Sequence, residues 1–238
     1  MRGLYDFEMS ESCQSDKRKK GEFFCGLSPK GLKYFDSIEF NSVYPKGAVL
    51  FLEKQEARGV FVLCDGEIKL TMSSSEGKTL ILRMVKPGEV LGLMATLSGQ
   101  LYAATAETLR PCQVAFVRRD DFLRFVTQHP ESSQGIVKQL NSQYRAAYEQ
   151  LRSIGLSASA PEKLARLLLG LSAGGEETKL GTRITLPLTH EEIAEFIGSC
   201  RETVTRTLSD FKSRHLVTLK GSTLMIPNRK ALQACAND

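Results

Sequence analysis

The sequence predicts an α+β protein in which short antiparallel strands come first, followed by one long helix and then a small helical domain. Three patterns predict this order. Brief apolar runs between turn residues fill positions 40–118, apolar residues then recur at helical spacing, and two short helices followed by a hairpin close the chain.

The composition is that of an ordinary globular chain. Its 238 residues are 42% hydrophobic and 25% charged, which suffices for one large core or two smaller ones. No apolar run approaches the roughly 20 residues of a membrane span, and positions 1–10 lack the apolar segment of a secretion signal. The six cysteines are too widely spaced for a disulfide framework. We therefore expect a cytoplasmic protein with no membrane partner, whose net charge of +5 permits an acidic partner.

The first 21 residues are polar and predict an arm outside the folded core. They include a basic run at positions 17–20 and offer little apolar surface to bury. We expect a solvated arm, and a phosphate-binding tail is the alternative. Ser28-Pro29 then indicates a short helix ending near Asp36, because Pro suits the first helical turn and Ser can cap it.

Positions 22–118 predict a compact antiparallel β-roll of the jelly-roll type. Asp65-Gly66 between two apolar runs is a strong hairpin signal, because both residues of that turn must tolerate positive φ. Repeated short strands at nearly regular spacing imply a barrel or sandwich. The apolar runs, which are too short for helices, lie at 49–52, 60–63, 68–71 and 80–82.

Positions 119–156 predict a helix, a break at His129-Pro130 and then a long helix. Apolar residues recur along the long helix at intervals of three and four, as in a coiled-coil seam. They are Ile136, Leu140, Ala147, Leu151 and Ile154, with Tyr144 beside them. We expect this stripe to join two copies of the chain, and packing of the helix on its own domain is the alternative. The small residues at 157–160 then indicate a hinge.

Positions 157–238 predict a winged helix-turn-helix domain. An amphipathic helix after Pro161 and a strand at 182–186 lead to two short helices. A final hairpin around Lys220-Gly221 would supply the wing.

Capping signals mark the starts of the two short helices. Thr189 with Glu192 is one capping box, and Ser199 with Glu202 is a second. Gly198 between the two helices can take the tight turn. Two capped helices joined in this way are typical of a helix-turn-helix, which presents its second helix to the major groove of DNA.

The second of these helices carries a candidate base-reading surface. Its apolar residues Val204, Leu208 and Phe211 predict the buried face, and the polar side chains then share the outer face. Arg can donate two hydrogen bonds to guanine, and Glu can accept one from cytosine. Threonine side chains, helix N-terminal amides and a wing lysine can bind phosphate oxygens. The candidate DNA-binding residues are Arg201, Glu202, Arg206, Thr205, Thr203, Thr189, Ser199 and Lys220. A solvated helix face with an Arg-Glu-Arg salt bridge is the alternative.

The order of these parts, with the string THEEIAEFIGSCRETVTRTL, resembles the CRP/FNR family of bacterial transcription regulators. The resemblance covers positions 23 to 232. It implies that residues 22–118 form a cyclic-nucleotide-binding-like effector domain, that residues 119–156 form the dimer interface of a homodimer, and that double-stranded DNA is the partner. It also implies that Arg201, Glu202 and Arg206 read a TGTGA-like palindrome. RNA polymerase would be a further partner if the protein is an activator.

The same resemblance locates an effector pocket at Gly92, Leu93, Met94, Tyr102, Ala103 and Ala104. Relatives that bind cyclic AMP carry a Glu after the glycine and an Arg shortly afterwards. Here Leu93 follows the glycine, and Tyr102 stands where the Arg would be. A buried phosphate without a cation costs several kcal/mol, so cyclic AMP is not expected. A plain structural core and a pocket for a less polar effector are the remaining alternatives.

An iron–sulfur cluster is the other precedent that the resemblance suggests. Its four ligands would be Cys13, Asp16, Cys25 and Cys112, although the usual close cysteine spacing is missing. Thiol-based redox sensing is an alternative, and Cys112 as a small buried hydrophobic residue is another. Haem is not expected, because all three histidines, His129, His190 and His215, lie outside the predicted strands. The sequence therefore establishes no cofactor.

These patterns predict a homodimeric DNA-binding transcription regulator whose affinity is modulated by an effector or a redox signal at the β-roll. The alternative is a sensor module that acts through protein contacts. An enzyme is not expected, because the chain lacks a phosphate-binding GxxxxGK[ST] loop, an HExxH motif and a paired acid–base constellation.

Overall fold

The computed structural model describes residues 21–156 and 159–236. The chain divides into two compact units, with the division between Ala147 and Tyr148. Within the described ranges, no helix is both long and apolar enough to cross a membrane.

The first unit contains two four-stranded antiparallel sheets, as the sequence predicts. One has the order β1-β8-β3-β6 and the other β2-β7-β4-β5. The predicted turn at Asp65-Gly66 joins β3 to β4, and Gly66 has a φ of 114°. The strands are β1 Phe40–Tyr44, β2 Val49–Phe51, β3 Gly59–Asp65, β4 Ile68–Ser73, β5 Thr79–Val85, β6 Val90–Leu91, β7 Thr105–Thr108 and β8 Cys112–Arg118. This arrangement confirms the jelly-roll type of β-roll.

Apolar side chains from both sheets form one core of this unit. Because successive residues of a strand point to opposite faces, alternate residues reach this core. Its buried members include Phe51, Leu63, Ile68, Leu91, Tyr102 and Val114.

A second core of the unit lies between the first sheet and the helices. The N-terminal helix α1 (Pro29–Ile38) starts as predicted, because the Ser28 hydroxyl accepts from the Gly31 amide at 3.1 Å. Further helices are α2 (Leu93–Ser98), α3 (Arg119–Gln128) and α4 (Ser132–Leu156). The break between α3 and α4 falls at the predicted His129-Pro130. This core contains Phe23, Phe35, Phe122, Phe125 and Ile136 among its buried side chains.

The stripe that the sequence predicts along the long helix α4 is covered at its start and exposed further along. Ile136 is only 7% exposed and Leu140 packs against the same core, so the N-terminal half of that stripe covers its own domain. Leu151 and the neighbouring Tyr144 of the predicted stripe are exposed, and so are the large side chains of Val137 and Tyr148. Heptad spacing therefore predicted the helix correctly, and its N-terminal turns pack on their own domain because Ile136 and Leu140 reach the core there.

The second unit is a winged helix domain. Its sheet has the order β11-β12-β10-β9. The elements are α5 Ala160–Ser172, β9 Glu176–Thr178, β10 Gly181–Thr185, α6 His190–Ile197, α7 Arg201–Ser213, β11 Thr218–Lys220, β12 Thr223–Ile226 and α8 Arg229–Ala234. The helices enclose fully buried Leu164, Ile193, Val204 and Phe211.

The sequence did not predict the short elements α2, β9 and α8.

Of the predicted hinge at 157–160, Ser157 and Ala158 lie outside the described residues. Ser159 is the N-cap of α5, its hydroxyl accepting from the Glu162 amide at 3.4 Å, and Ala160 is the first helical residue.

Candidate nucleic-acid interface

The helix-turn-helix is built on one capping box and one glycine turn. The Thr189 hydroxyl accepts from the Glu192 amide at 3.2 Å, and the Glu192 carboxylate accepts from the Thr189 amide at 2.8 Å. At the other end of α6, Gly198 has a φ of 63° and the Ser199 amide donates to the Ala194 carbonyl at 2.9 Å. This confirms the predicted first capping box and the predicted turn.

The second capping box is not formed. Helix α7 begins at Arg201, and its N-cap is Cys200, whose side chain caps no backbone amide. Ser199 still belongs to the turn, so it lies one position too early to cap the helix, and Glu202 falls in the first turn instead of at its third residue. The Cys200 thiol contacts the Thr203 hydroxyl at 3.1 Å.

Helix α7 has one buried and one exposed face, as predicted. Val204, Leu208 and Phe211 are at most 1% exposed. On the other face, the polar residues Arg201, Glu202, Thr205 and Arg206 are all exposed. No ion pair within the described ranges involves either arginine of this face, so the Arg-Glu-Arg bridge of the alternative reading is not formed. The surface therefore presents two guanidinium groups and one carboxylate to solvent.

Thr205 has a hydrogen-bond partner that the sequence analysis missed. Its hydroxyl donates to the Arg201 carbonyl at 2.9 Å and also lies 2.9 Å from Nδ1 of His190, the first residue of α6. The pattern did not reveal this contact, because the two residues lie on different helices and are 15 positions apart.

The candidate phosphate-binding residues lie around α7. Thr189 is exposed at the start of α6, Ser199 is half-buried in the turn, and Thr203 is half-buried in the first turn of α7. Lys220 is exposed at the end of β11 in the wing. These positions provide hydroxyl groups and one cation for the proposed phosphate contacts.

The candidate effector residues of the β-roll do not form one buried cluster. Leu93 is 1% exposed and belongs to the core beneath the helices, whereas Met94 is 66% exposed. Ala103 is exposed and Ala104 is buried. Gly92 and Tyr102 do meet, because a Cβ atom at position 92 would lie 2.6 Å from a ring carbon of Tyr102.

The side chain of Tyr102 is fixed by contacts within the protein core. It is 3% exposed, its hydroxyl donates to the Gly59 carbonyl at 2.7 Å, and its ring stacks on Phe51 with centroids 4.0 Å apart. Burial raises the pKa of the phenol above its ordinary value. The side chain is therefore neutral. Neither it nor Leu93 supplies the cation or carboxylate that a cyclic nucleotide would require, so these residues do not fit that ligand.

The strand before Gly92 is tied to the long helix. The buried side-chain amide of Gln139 on α4 accepts from the Val90 amide at 2.9 Å and donates to the Val90 carbonyl at 2.7 Å. Both backbone polar groups of Val90 are thereby satisfied by one side chain.

The cysteines that the structure describes form no assembled metal site. Cys112 is buried, and its thiol shares its one hydrogen between the carbonyl oxygens of Glu67 and Arg110, at 3.3 and 3.1 Å. Burial raises its pKa to about 11, which opposes the thiolate that a cluster needs. Cys25 is exposed, and Cys13 and Asp16 lie outside the described residues. Among the residues that the structure describes, no three His, Cys, Asp or Glu side chains are grouped to hold a metal.

A β-roll of the cyclic-nucleotide-binding type followed by a winged helix-turn-helix defines a class of DNA-binding regulators. Residues 42–129 match the family model of the cyclic nucleotide-binding domain, and residues 162–235 match that of the Crp-like helix-turn-helix domain. The chain belongs to the CRP/FNR family of transcription regulators. It is therefore a regulator and not an enzyme, as the sequence predicts.

Relatives match over nearly their full length. The chain is 24% identical over 214 residues to a CRP-like cAMP-activated global transcriptional regulator of Mycobacterium tuberculosis, covering 88% of this chain and 93% of that one. It is 26% identical over 226 residues to the transcriptional activatory protein AadR of Rhodopseudomonas palustris, covering 94% and 93%. The structure of FixK2 from Bradyrhizobium japonicum superposes with a TM-score of 0.74 at 22% identity, covering 83% of this chain and 97% of that one.

Proposed function

We propose that this regulator binds a palindromic, TGTGA-like DNA site as a homodimer, with helix α7 of each copy in a major groove. The observation that carries the proposal is the exposed face of α7. Arg201, Glu202 and Arg206 project from the face opposite Val204 and Phe211, which anchor the helix in the domain core.

The chemistry of this face suits the edges of G·C pairs. Each guanidinium can donate a pair of hydrogen bonds to N7 and O6 of guanine, and the Glu202 carboxylate can accept from the amino group of cytosine. Arg201 and Glu202 lie in the first turn of α7, where a helix entering the groove makes its base contacts. Thr189, Ser199, Thr203 and Lys220 are assigned to the flanking phosphates, which fix the register of the helix on the duplex.

The exposed stripe of α4 supports a homodimer. Val137 and Leu151 are 64% and 67% exposed. Large apolar side chains that are grouped and exposed in this way indicate a contact with another protein chain. The two residues lie 14 positions apart, which is two heptads and places them on the same side of the helix. Two copies of this stripe paired about a two-fold axis would match a palindromic site.

The β-roll is proposed to regulate without cyclic AMP. One relative is named as cAMP-activated, but Tyr102 and Leu93 do not supply the polar partners of that ligand. A less polar effector or a redox signal are the remaining inputs, and contact with RNA polymerase is proposed if the protein is an activator.

Selection from a pool of random duplexes tests the readout. The full chain is incubated with the pool at several salt concentrations, and bound duplexes are sequenced. We expect a palindrome with TGTGA-like halves and an affinity that falls steeply with salt, because phosphate contacts release counterions. A non-palindromic motif would refute the dimeric readout. Salt-insensitive, unselective binding would favour the alternative of a sensor that acts through protein contacts.

A titration with cyclic AMP tests the effector assignment separately. Calorimetry on the full chain should give no saturable heat, and the affinity for the selected duplex should be the same with and without the nucleotide. Saturable binding would contradict the roles given to Tyr102 and Leu93.

A further inference from the structure

The hydroxyl group of Thr205 uses its one hydrogen in a bond within the protein. It donates to the carbonyl of Arg201 at 2.9 Å, and a carbonyl oxygen can only accept. The contact with Nδ1 of His190, also 2.9 Å, therefore requires that Nδ1 carry the hydrogen and donate it to the Thr205 oxygen. These two bonds fix both the rotamer of Thr205 and the tautomer of His190.

This arrangement limits what Thr205 can offer to a base. A hydroxyl without a free hydrogen cannot donate to N7 or O6 of guanine, N7 of adenine or O4 of thymine. Its oxygen is turned to Arg201 and His190, so the methyl group is the apolar part of this exposed side chain that can contact a base. In the major groove, the 5-methyl group of thymine is the apolar feature that a methyl group can contact.

We infer that Thr205 selects thymine by its methyl group and that His190 is the positioning residue which makes it do so. The inference rests on the proposed function, because it assumes that α7 lies in the major groove. His190 fits such a role by its place in the fold, since it is the first residue of α6 and crosses to the exposed face of α7. No motif in the sequence indicates that His190 takes part in DNA readout.

Replacing thymine by uracil removes one methyl group and nothing else, so it tests the contact directly. In the selected palindrome, each symmetry-related pair of thymines is changed to uracil in turn, and binding of the full chain is measured by fluorescence anisotropy. At one pair we expect the affinity to fall about fourfold for each half-site, the effect of about one buried methyl group.

Variants then assign the effect to the two residues. Thr205→Ser keeps the hydroxyl and loses the methyl, so uracil at that pair should cause no further loss. His190→Ala removes the N–H donor that holds the Thr205 oxygen in this rotamer and should also abolish the uracil effect, whereas His190→Asn keeps a side-chain N–H and should restore it. Thr185→Ser, an exposed threonine on β10 away from this contact, should respond to uracil like the wild type.

The outcomes separate this inference from the proposed function. A wild-type chain that selects no sequence overturns both. A chain that selects a site without thymine, that tolerates uracil at every position, or that keeps its uracil response in Thr205→Ser overturns the inference alone. A uniform loss of affinity in His190→Ala with the uracil response intact would show that His190 only stabilises the domain, and would also refute it.

Discussion

The exposed face of helix α7 and the interior of the β-roll differ in how their polar groups are satisfied. On α7, two guanidinium groups and a carboxylate face solvent, and no ion pair within the described ranges involves Arg201 or Arg206. In the β-roll, the hydroxyl of Tyr102 is bonded to Gly59 and its ring is packed on Phe51. A surface with unused hydrogen-bonding capacity is suited to a partner, whereas a satisfied interior is suited to stability. The family's DNA-contacting roles therefore fit the residues of α7, whereas its ligand-contacting roles do not fit the effector residues.

The sharpest test of this contrast is Tyr102→Ala. If the ring serves as packing, its loss should lower the free energy of unfolding by about 3–5 kcal/mol, the usual effect of removing a buried aromatic side chain. Chemical denaturation measures the change. Addition of p-cresol should restore part of the stability by filling the space, and Met94→Ala, at an exposed position nearby, should change little. Unaltered stability would mean that the ring is not part of the core.

On α7 the same kind of truncation should affect binding and not stability. Arg201→Ala and Arg206→Ala should each weaken specific DNA binding by about 1–3 kcal/mol, because each removes a bidentate base contact. The melting temperature should stay near that of the wild type. Arg183→Ala is the matched control, because Arg183 is an exposed arginine on β10 that pairs with Glu176. Retained affinity in both α7 variants would exclude the assigned readout.

The Gln139 contact with Val90 can be broken by Gln139→Leu, which keeps much of the volume. The backbone amide and carbonyl of Val90 would then be buried without partners, and the free energy of unfolding should fall by about 1–3 kcal/mol. Gln134→Leu, on the exposed side of the same helix, is the control in denaturant unfolding. Equal stability of the two variants would show that water replaces the side-chain amide at no cost.

The smallest expected effect concerns the buried thiol of Cys112. Its pKa is raised from the ordinary value of 9.0 to about 11 by burial, so the folded chain favours the protonated form. The stability that this provides is present below about pH 9 and is lost as the pH rises toward 11. Urea unfolding at pH 8 and pH 10.5 should show a smaller loss for Cys112→Ala than for the wild type. Equal losses would mean that the thiol does not titrate in this range.

Much of the fold could be predicted because its signals are local. Thr189 and Glu192 are three residues apart and form their capping box. Pro130 separates α3 from α4 because a proline inside a helix removes a backbone hydrogen bond and clashes with the preceding turn. The second capping box failed for an equally local reason, because the turn after Gly198 takes one more residue and moves the start of α7 to Arg201. Short elements such as α2 and α8 have too few residues for a period to show.

The chain by itself determined the order of the elements, the buried and exposed faces of α7 and the residues that form the candidate DNA-reading surface, because these depend on spacing along one helix. Tertiary structure decided how much of the α4 stripe is covered, that Tyr102 is held by Gly59, and that His190 restrains Thr205. The partners in the last two contacts are 43 and 15 positions apart. No periodicity connects residues on separate elements, so only the packing of those elements could bring them together.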